Sequence, residues 1–136
     1  MKALIIISSL LFGLVLSVQG QKKYTLIHED HGVQFLTKIG TAKRSDGGSE
    51  TALFLKVVNN NSEDYTYSFG LDFYFKNKTT DSMPLMTYCL RAGRSSQGKM
   101  NGVYFQSDSL TDEQIKSDDF GFELIDLEVS PGYTCD

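Results

Sequence analysis

Residues 65–76 read Tyr65-Thr66-Tyr67-Ser68-Phe69-Gly70-Leu71-Asp72-Phe73-Tyr74-Phe75-Lys76. Tyr65, Tyr67, Phe69, Leu71, Phe73 and Phe75 take every second position, with smaller or more polar residues between most of them. Successive side chains of a strand point to opposite faces, so this run sets six large groups on one face; a helix would scatter them around its axis. The reading is a long central strand of an antiparallel sheet with one face in the core and one in water.

Weaker runs on either side say the same. Residues 24–28 form a first strand. Residues 33–39 form a second, with Val33, Phe35 and Ile39 on one side and Leu36 on the other. Residues 52–58 are apolar except for Lys56, which predicts a strand covered on both faces. Residues 83–90 form a fifth strand, and Pro84, which has no N–H to donate, places it at an edge or a strand entrance. Residues 100–105 form a sixth. Residues 120–129 form a seventh in which Phe120, Phe122 and Leu124 share one phase and Ile125, Leu127 and Val129 the other; the phase change predicts a bulge or a bend.

Turn chemistry punctuates these runs at Asp46-Gly47-Gly48, Asn59-Asn60-Asn61, residues 77–81 and Ala92-Gly93. Ser109 to Lys116 departs from the strand pattern. Thr111 is followed three residues later by Gln114, and Ser109 by Asp112, which is the signature of a helix start. The expectation is one short helical turn before the last strand. About seven strands with regular turns predict an all-β, immunoglobulin-like antiparallel β-sandwich, with a closed barrel as the competing architecture. "Immunoglobulin-like" refers to architecture only, because the chain has no Trp and its two Cys fall late in the sequence.

The order Leu55-Lys56-Val57-Val58-Asn59-Asn60, a long aromatic strand, Leu90-Arg91-Ala92-Gly93, then Gly98 and Val103-Tyr104-Phe105 resembles small secreted immunoglobulin-like sandwich domains. These include secreted proteins of the Bacteroidetes and telokin-like extracellular domains. The resemblance covers roughly residues 50–106. It implies a secreted sandwich and carries no catalytic residues across.

The N-terminus reads as an address. Lys2 precedes an uncharged, apolar run to Val18, and Val18-Gln19-Gly20 suits signal peptidase. Residues 1–20 are read as a signal peptide and residues 21–136 as a single domain beginning at Gln21. The apolar stretch is shorter than the roughly 20 residues needed to span a bilayer, and no later stretch approaches that length. The single-Lys start has a bacterial look, and the location expected is periplasmic or extracellular. That compartment is oxidising, so Cys89 and Cys135 are read as a disulfide. The alternative is two thiols, with Cys89 buried as a small apolar residue.

Composition excludes several classes. Lys and Arg number 13 against 17 Asp and Glu, a net charge of −4 that argues against nucleic-acid binding. Two Cys cannot build a four-thiolate zinc site. His28-Glu29-Asp30-His31 is the densest group of candidate metal ligands: at a hairpin tip, residues three apart lie within about 7 Å, and two imidazoles with a carboxylate suit zinc, copper or nickel. A polar turn ahead of Gly32 fits the same residues. Asp112-Glu113, Asp118-Asp119 and Glu123-Asp126-Glu128 match no calcium loop and read as a solvated acidic face. Gly93-Arg94-Ser95-Ser96-Gln97-Gly98 is not a nucleophile elbow, and no phosphate loop occurs.

The chain therefore reads as non-enzymatic and free of cofactors. Tyr74 and Tyr104 lie on the faces opposite their Phe neighbours and are candidate contacts for a protein or glycan partner. Asn60 and Asn77 begin formal glycosylation sequons, which marks their loops as exposed. The function expected is a secreted surface-binding or assembly module, with a carbohydrate-binding module or an inhibitor of a secreted enzyme as alternatives.

Overall fold

The computed structural model describes residues 23–96, 103–132 and 134–135. The expected signal peptide, the Gln21 terminus and residues 100–102 of the expected sixth strand lie outside the described residues. The elements are β1 (Thr25–Asp30), β2 (Val33–Lys43), β3 (Ser49–Asn59), β4 (Tyr65–Phe75), β5 (Lys78–Leu90), β6 (Ser95–Ser96), β7 (Val103–Phe105), a short helix α1 (Asp112–Ile115) and β8 (Phe120–Pro131). All strand pairs are antiparallel. One sheet has the order β1-β2-β3-β6, with β7 also beside β3, and the other has the order β5-β4-β8. In antibody-type domains the second strand pairs with the fifth; here β2 lies between β1 and β3.

The alternating run does what its pattern dictates. β4 is the centre of its sheet, and Tyr65, Tyr67, Phe69, Leu71 and Phe73 are all buried. They meet Val33, Phe35, Leu53, Leu55, Val57 and Phe105 of the other sheet in one shared core. Edge-to-face rings tie the sheets: Phe35 stands 5.5 Å from Tyr67 and Phe69 stands 6.0 Å from Phe105. Phe75, at the strand end, is only half-buried.

β3 is covered on both faces, as its apolar run predicts. On the outer side Ala52 and Phe54 pack with Ala42, Tyr24 and Tyr104. The bulge in the last strand is also present. The β4–β8 register shifts between Ser68 and Gly70, and Asp126 adopts a left-handed φ of 53°. The extra residue resets the phase, so Leu127 and Val129 rejoin Phe122 and Leu124 against the core. β5 is an edge strand, one of the two placements Pro84 allows, and its register shifts by one residue where Pro84 and Leu85 together oppose Gly70.

The helical turn has the expected capping box. Thr111 Oγ1 accepts from Gln114 N at 3.2 Å, and Gln114 Oε1 accepts from Thr111 N at 2.9 Å. Asp112 Oδ1 accepts from Thr51 N at 3.0 Å, which fastens α1 to β3.

Two boundaries differ from the sequence reading. Residues 77–81 are not a loop: the reversal uses only Lys76 and Asn77, both at positive φ, and β5 starts at Lys78. A two-residue hairpin with two left-handed positions matches strand twist, so the polar residues after it are free to pair. Ser95–Ser96, outside every expected strand, pair as β6 with Val57–Val58, on the same side of β3 as β7, whose residues 103–105 fall within the expected sixth strand and pair with Leu53–Leu55.

Candidate functional site

A concavity forms where the two sheets part. β1 pairs with β2 only as far as Thr37, whereas β2 runs on to Lys43. Below that unpaired stretch, Ile39, Gly40 and Thr41 face α1 and the start of β8 across a groove of about 660 Å³, whose far wall includes Ile115, Phe120 and Phe122. The inner face of β2 records the opening. Val33 and Phe35 are 0% exposed and Thr37 5%, but Ile39 is half-buried and Thr41 is exposed. Phe120 is held by an edge contact to Phe73 at 5.2 Å. Lys116 is the one charged side chain of the lining.

The direction of the β2 backbone groups follows from its pairing with β3. Arg44 N donates to Gly48 O at 2.8 Å and Asn60 N donates to Gly32 O at 3.0 Å, so the even-numbered residues of β2 face β3. Antiparallel strands alternate in this respect. Odd-numbered residues therefore face the other way. Phe35 and Thr37 lie opposite β1, while Ile39 and Thr41 turn their N–H and C=O toward a side where no described strand pairs with them.

Tyr74 and Tyr104, the two candidate contact residues, lie on different sheets and make no common platform. Tyr104 stacks on Phe54, with centroids 5.5 Å apart. Lys38 Nζ covers the nearby Tyr24 ring at 4.7 Å and Phe54 at 5.6 Å. These rings cover one another and seal the outer side of β3. Tyr74 lines a smaller groove of about 470 Å³ with Lys76, Asp118, Asp119 and Glu123. Partial burial, then the charges of Glu123 and Asp72, raise its hydroxyl above the ordinary tyrosine value.

The two histidines are not brought to a common centre either. His28 belongs to β1 beside Phe35, with ring centroids 6.0 Å apart, whereas His31 sits in the hairpin turn and pairs with neighbouring Asp30. Among the described residues, no three His, Cys, Asp or Glu side chains gather as a metal-ligand set. The polar-turn alternative describes the segment: His31 and Gly32 have φ of 51° and 76°. Gly32 is required there twice over, because an added Cβ would lie 2.7 Å from Asn61 Oδ1.

Cys89 and Cys135 sit at disulfide-bonding distance, with Cα atoms 5.5 Å apart across a separation of 46 residues. Cys89 is exposed on the outer face of β5 rather than buried. Asp64 helps hold the chain end. Its carboxylate accepts from Cys135 N at 2.8 Å and Ala92 N at 3.0 Å, and those two bonds lower its pKa, with a smaller contribution from Arg91.

Asn59 was legible only as a turn former, yet it is fully buried. Its Nδ2 donates to the carbonyls of Glu63 and Leu90, each at 3.0 Å, and its Oδ1 accepts from Asn61 N at 3.0 Å. It joins the end of β3 to the end of β5. Asp81 is the other carboxylate in a built environment: desolvation raises its pKa, but bonds from Ser107 Oγ at 2.7 Å, Thr80 Oγ1 at 2.9 Å and Asp108 N at 3.2 Å prevail and lower it. Tyr67 is also shifted: burial pushes its hydroxyl far above the ordinary value, and a bond to Ser96 opposes this. Each of these groups is satisfied within the fold, and no buried side-chain N or O among the described residues lacks a partner.

Among the described residues, no helix is long and apolar enough to cross a membrane. No protein family, curated protein or solved structure is matched by this chain.

Proposed function

We propose that this chain is a secreted, non-enzymatic binding module that engages a partner at the open flank of its two sheets. The observation that carries the reading is the groove of about 660 Å³ between the unpaired end of β2, α1 and the start of β8. Its size falls within the usual range of binding pockets, roughly 300–1,000 Å³. The lining is chiefly Ile39, Ile115, Phe120 and Phe122, with Thr41, Ser117 and Lys116 as its polar side chains. Such a surface suits recognition by burial and shape. It lacks the paired carboxylates, or nucleophile beside a base, from which hydrolytic chemistry is built.

Export is supported by the leader-like sequence of residues 1–20 and by the Cys89–Cys135 geometry. Intact-mass measurement of the exported protein tests it: loss of residues 1–20 is expected, and retention of Met1 contradicts it. The binding site is tested by placing a photo-crosslinking amino acid at Thr41 and, in a second protein, at Thr66 on the outer face of β4. Partner adducts in the producing cells should form from position 41 and not from position 66. Equal adducts from both positions, or none from 41, would defeat the reading.

A further inference from the structure

We infer that the free edge of β2 and the groove beneath it form one strand-addition site, whose ligand is an extended peptide with apolar residues at alternate positions and acidic residues at its ends. The inference rests on the binding-module reading above and names the kind of partner. Strand addition requires an edge with unpaired backbone groups and pockets for every second side chain. Both are present at the same place. Ile39 and Thr41 direct their backbone groups away from β3, where β1 no longer reaches. The groove lies on the inner side of this edge, between it and Phe120 and Phe122. A peptide paired with residues 38–42 would continue the line of β1, and its alternate side chains would drop into the groove.

The edges of β1, β5 and β8 carry protection against such pairing. β1 has a register shift between Leu26 and His28, β5 has its irregularity at Pro84 and Leu85, and β8 is bulged at Asp126 and ends in Pro131. Bulges and prolines are the usual means of blocking an edge. β2 pairs with β3 without a shift from Val33 to Lys43 and contains no proline, so its free stretch is straight.

Three occupants fit this geometry in principle, and the residues choose among them. Were the chain upstream of Thr25 to continue its pairing with β2, Lys23 would fall opposite Ile39 and Gln21 opposite Thr41, and both would turn polar side chains into an apolar groove. A second copy paired edge to edge about Thr41 would set Lys38 of each copy opposite Arg44 of the other, and like charges across strands are unfavourable. A separate peptide carries neither fault. The charged side chains at this site, Lys38 on the edge and Lys116 on the groove wall, are cationic, which is why its ends are assigned Asp or Glu.

Selection from a display library of random ten-residue peptides, run on the disulfide-intact protein, tests the inference. Enriched sequences should alternate apolar and polar residues and carry Asp or Glu at the ends. Thr41→Pro removes an outward N–H without touching the bonds to β3, and proline is tolerated at an edge. It should weaken the selected peptide by about tenfold, the worth of one good hydrogen bond, while circular dichroism and the melting transition stay unchanged. Phe122→Ser should weaken it as well.

Enriched peptides without alternation, or binding indifferent to Thr41→Pro, would overturn strand addition; if Phe122→Ser still weakened them, the groove as a binding site would stand. No enrichment would overturn the inference, and the crosslinking result at Thr41 then decides the broader reading separately. A dimer that forms with concentration and is lost in Thr41→Pro would make a second copy the occupant and refute the peptide assignment.

Discussion

Phe69 is the position at which the face assignment of β4 is most exposed to test. Its side chain is fully buried. Its ring centroid lies 6.2 Å from that of Tyr67 and 5.9 Å from that of Tyr88, both near-parallel, and 6.0 Å from that of Phe105, edge-on across the sheets. Burying a Phe is worth about 1.5–3 kcal/mol, and each favourable ring pair adds about 0.5–1.5 kcal/mol. Phe69→Ala should therefore cost about 3–5 kcal/mol, the usual range for truncating a core aromatic. Tyr74 lies on the other face of the same strand, half-buried, its hydroxyl 3.5 Å from Asp72. Tyr74→Ala should cost about 1 kcal/mol or less. Urea titration followed by far-ultraviolet dichroism measures both, and equal m-values would confirm that the two variants unfold the same structure. Equal losses from the two substitutions would mean that the inward face of β4 has been misassigned and the shared core with it.

Three further outcomes follow from the polar ties and the disulfide. Reducing Cys89–Cys135 should lower stability by roughly 4 kcal/mol on the chain-entropy model and leave both sheets folded; native thiol labelling that finds two reactive thiols before reduction would contradict the bond. Asn59→Asp keeps the shape but turns a carboxylate toward the carbonyls of Glu63 and Leu90, so about 2–4 kcal/mol should be lost at pH 7 and regained as acid protonates it, read from melting curves across pH. Asp64 has a folded pKa below its unfolded value, so the stability it contributes is present above about pH 4 and is lost as pH falls through the folded pKa. Melts of wild type and Asp64→Ala should differ at pH 7 and converge at low pH; a constant difference would show that its carboxylate bonds do not matter.

Much of the scaffold could be read from local signals. The period of two in residues 65–75 found the central strand, the phase slip around Leu124 and Ile125 found the bulge at Asp126, and Thr111 with Gln114 found the capping box. Each of those is decided by residues near one another in the chain. The burial of Asn59 has no local signal, because its side chain also bonds the carbonyls of Leu90 and Arg91, distant in sequence. Residues 77–81 looked like a loop because Asn, Lys, Thr and Asp are turn formers, but an edge strand with one wet face accepts them. The groove left no sequence signal at all. It exists because β1 is shorter than β2 and because α1 and Phe120 pack below the uncovered end, a relation among four separate elements. Tyr74 and Tyr104 matched a real outward orientation, yet alternation within a strand does not tell which sheet a strand joins.

The unpaired edge of β2 is the central claim, and amide hydrogen exchange read residue by residue by NMR on the free protein tests it most directly. Lys38, Gly40 and Ala42 direct their N–H groups to β3 and should exchange slowly, as should Phe35 and Thr37, which face β1. Ile39 and Thr41 should exchange at least a hundredfold faster than their neighbours in the same strand, since only opening of a bonded amide is slowed by local stability, and about 2.7 kcal/mol of it gives that factor. Protection at Ile39 and Thr41 equal to that at Phe35 and Thr37 would show the edge already occupied and would contradict the account.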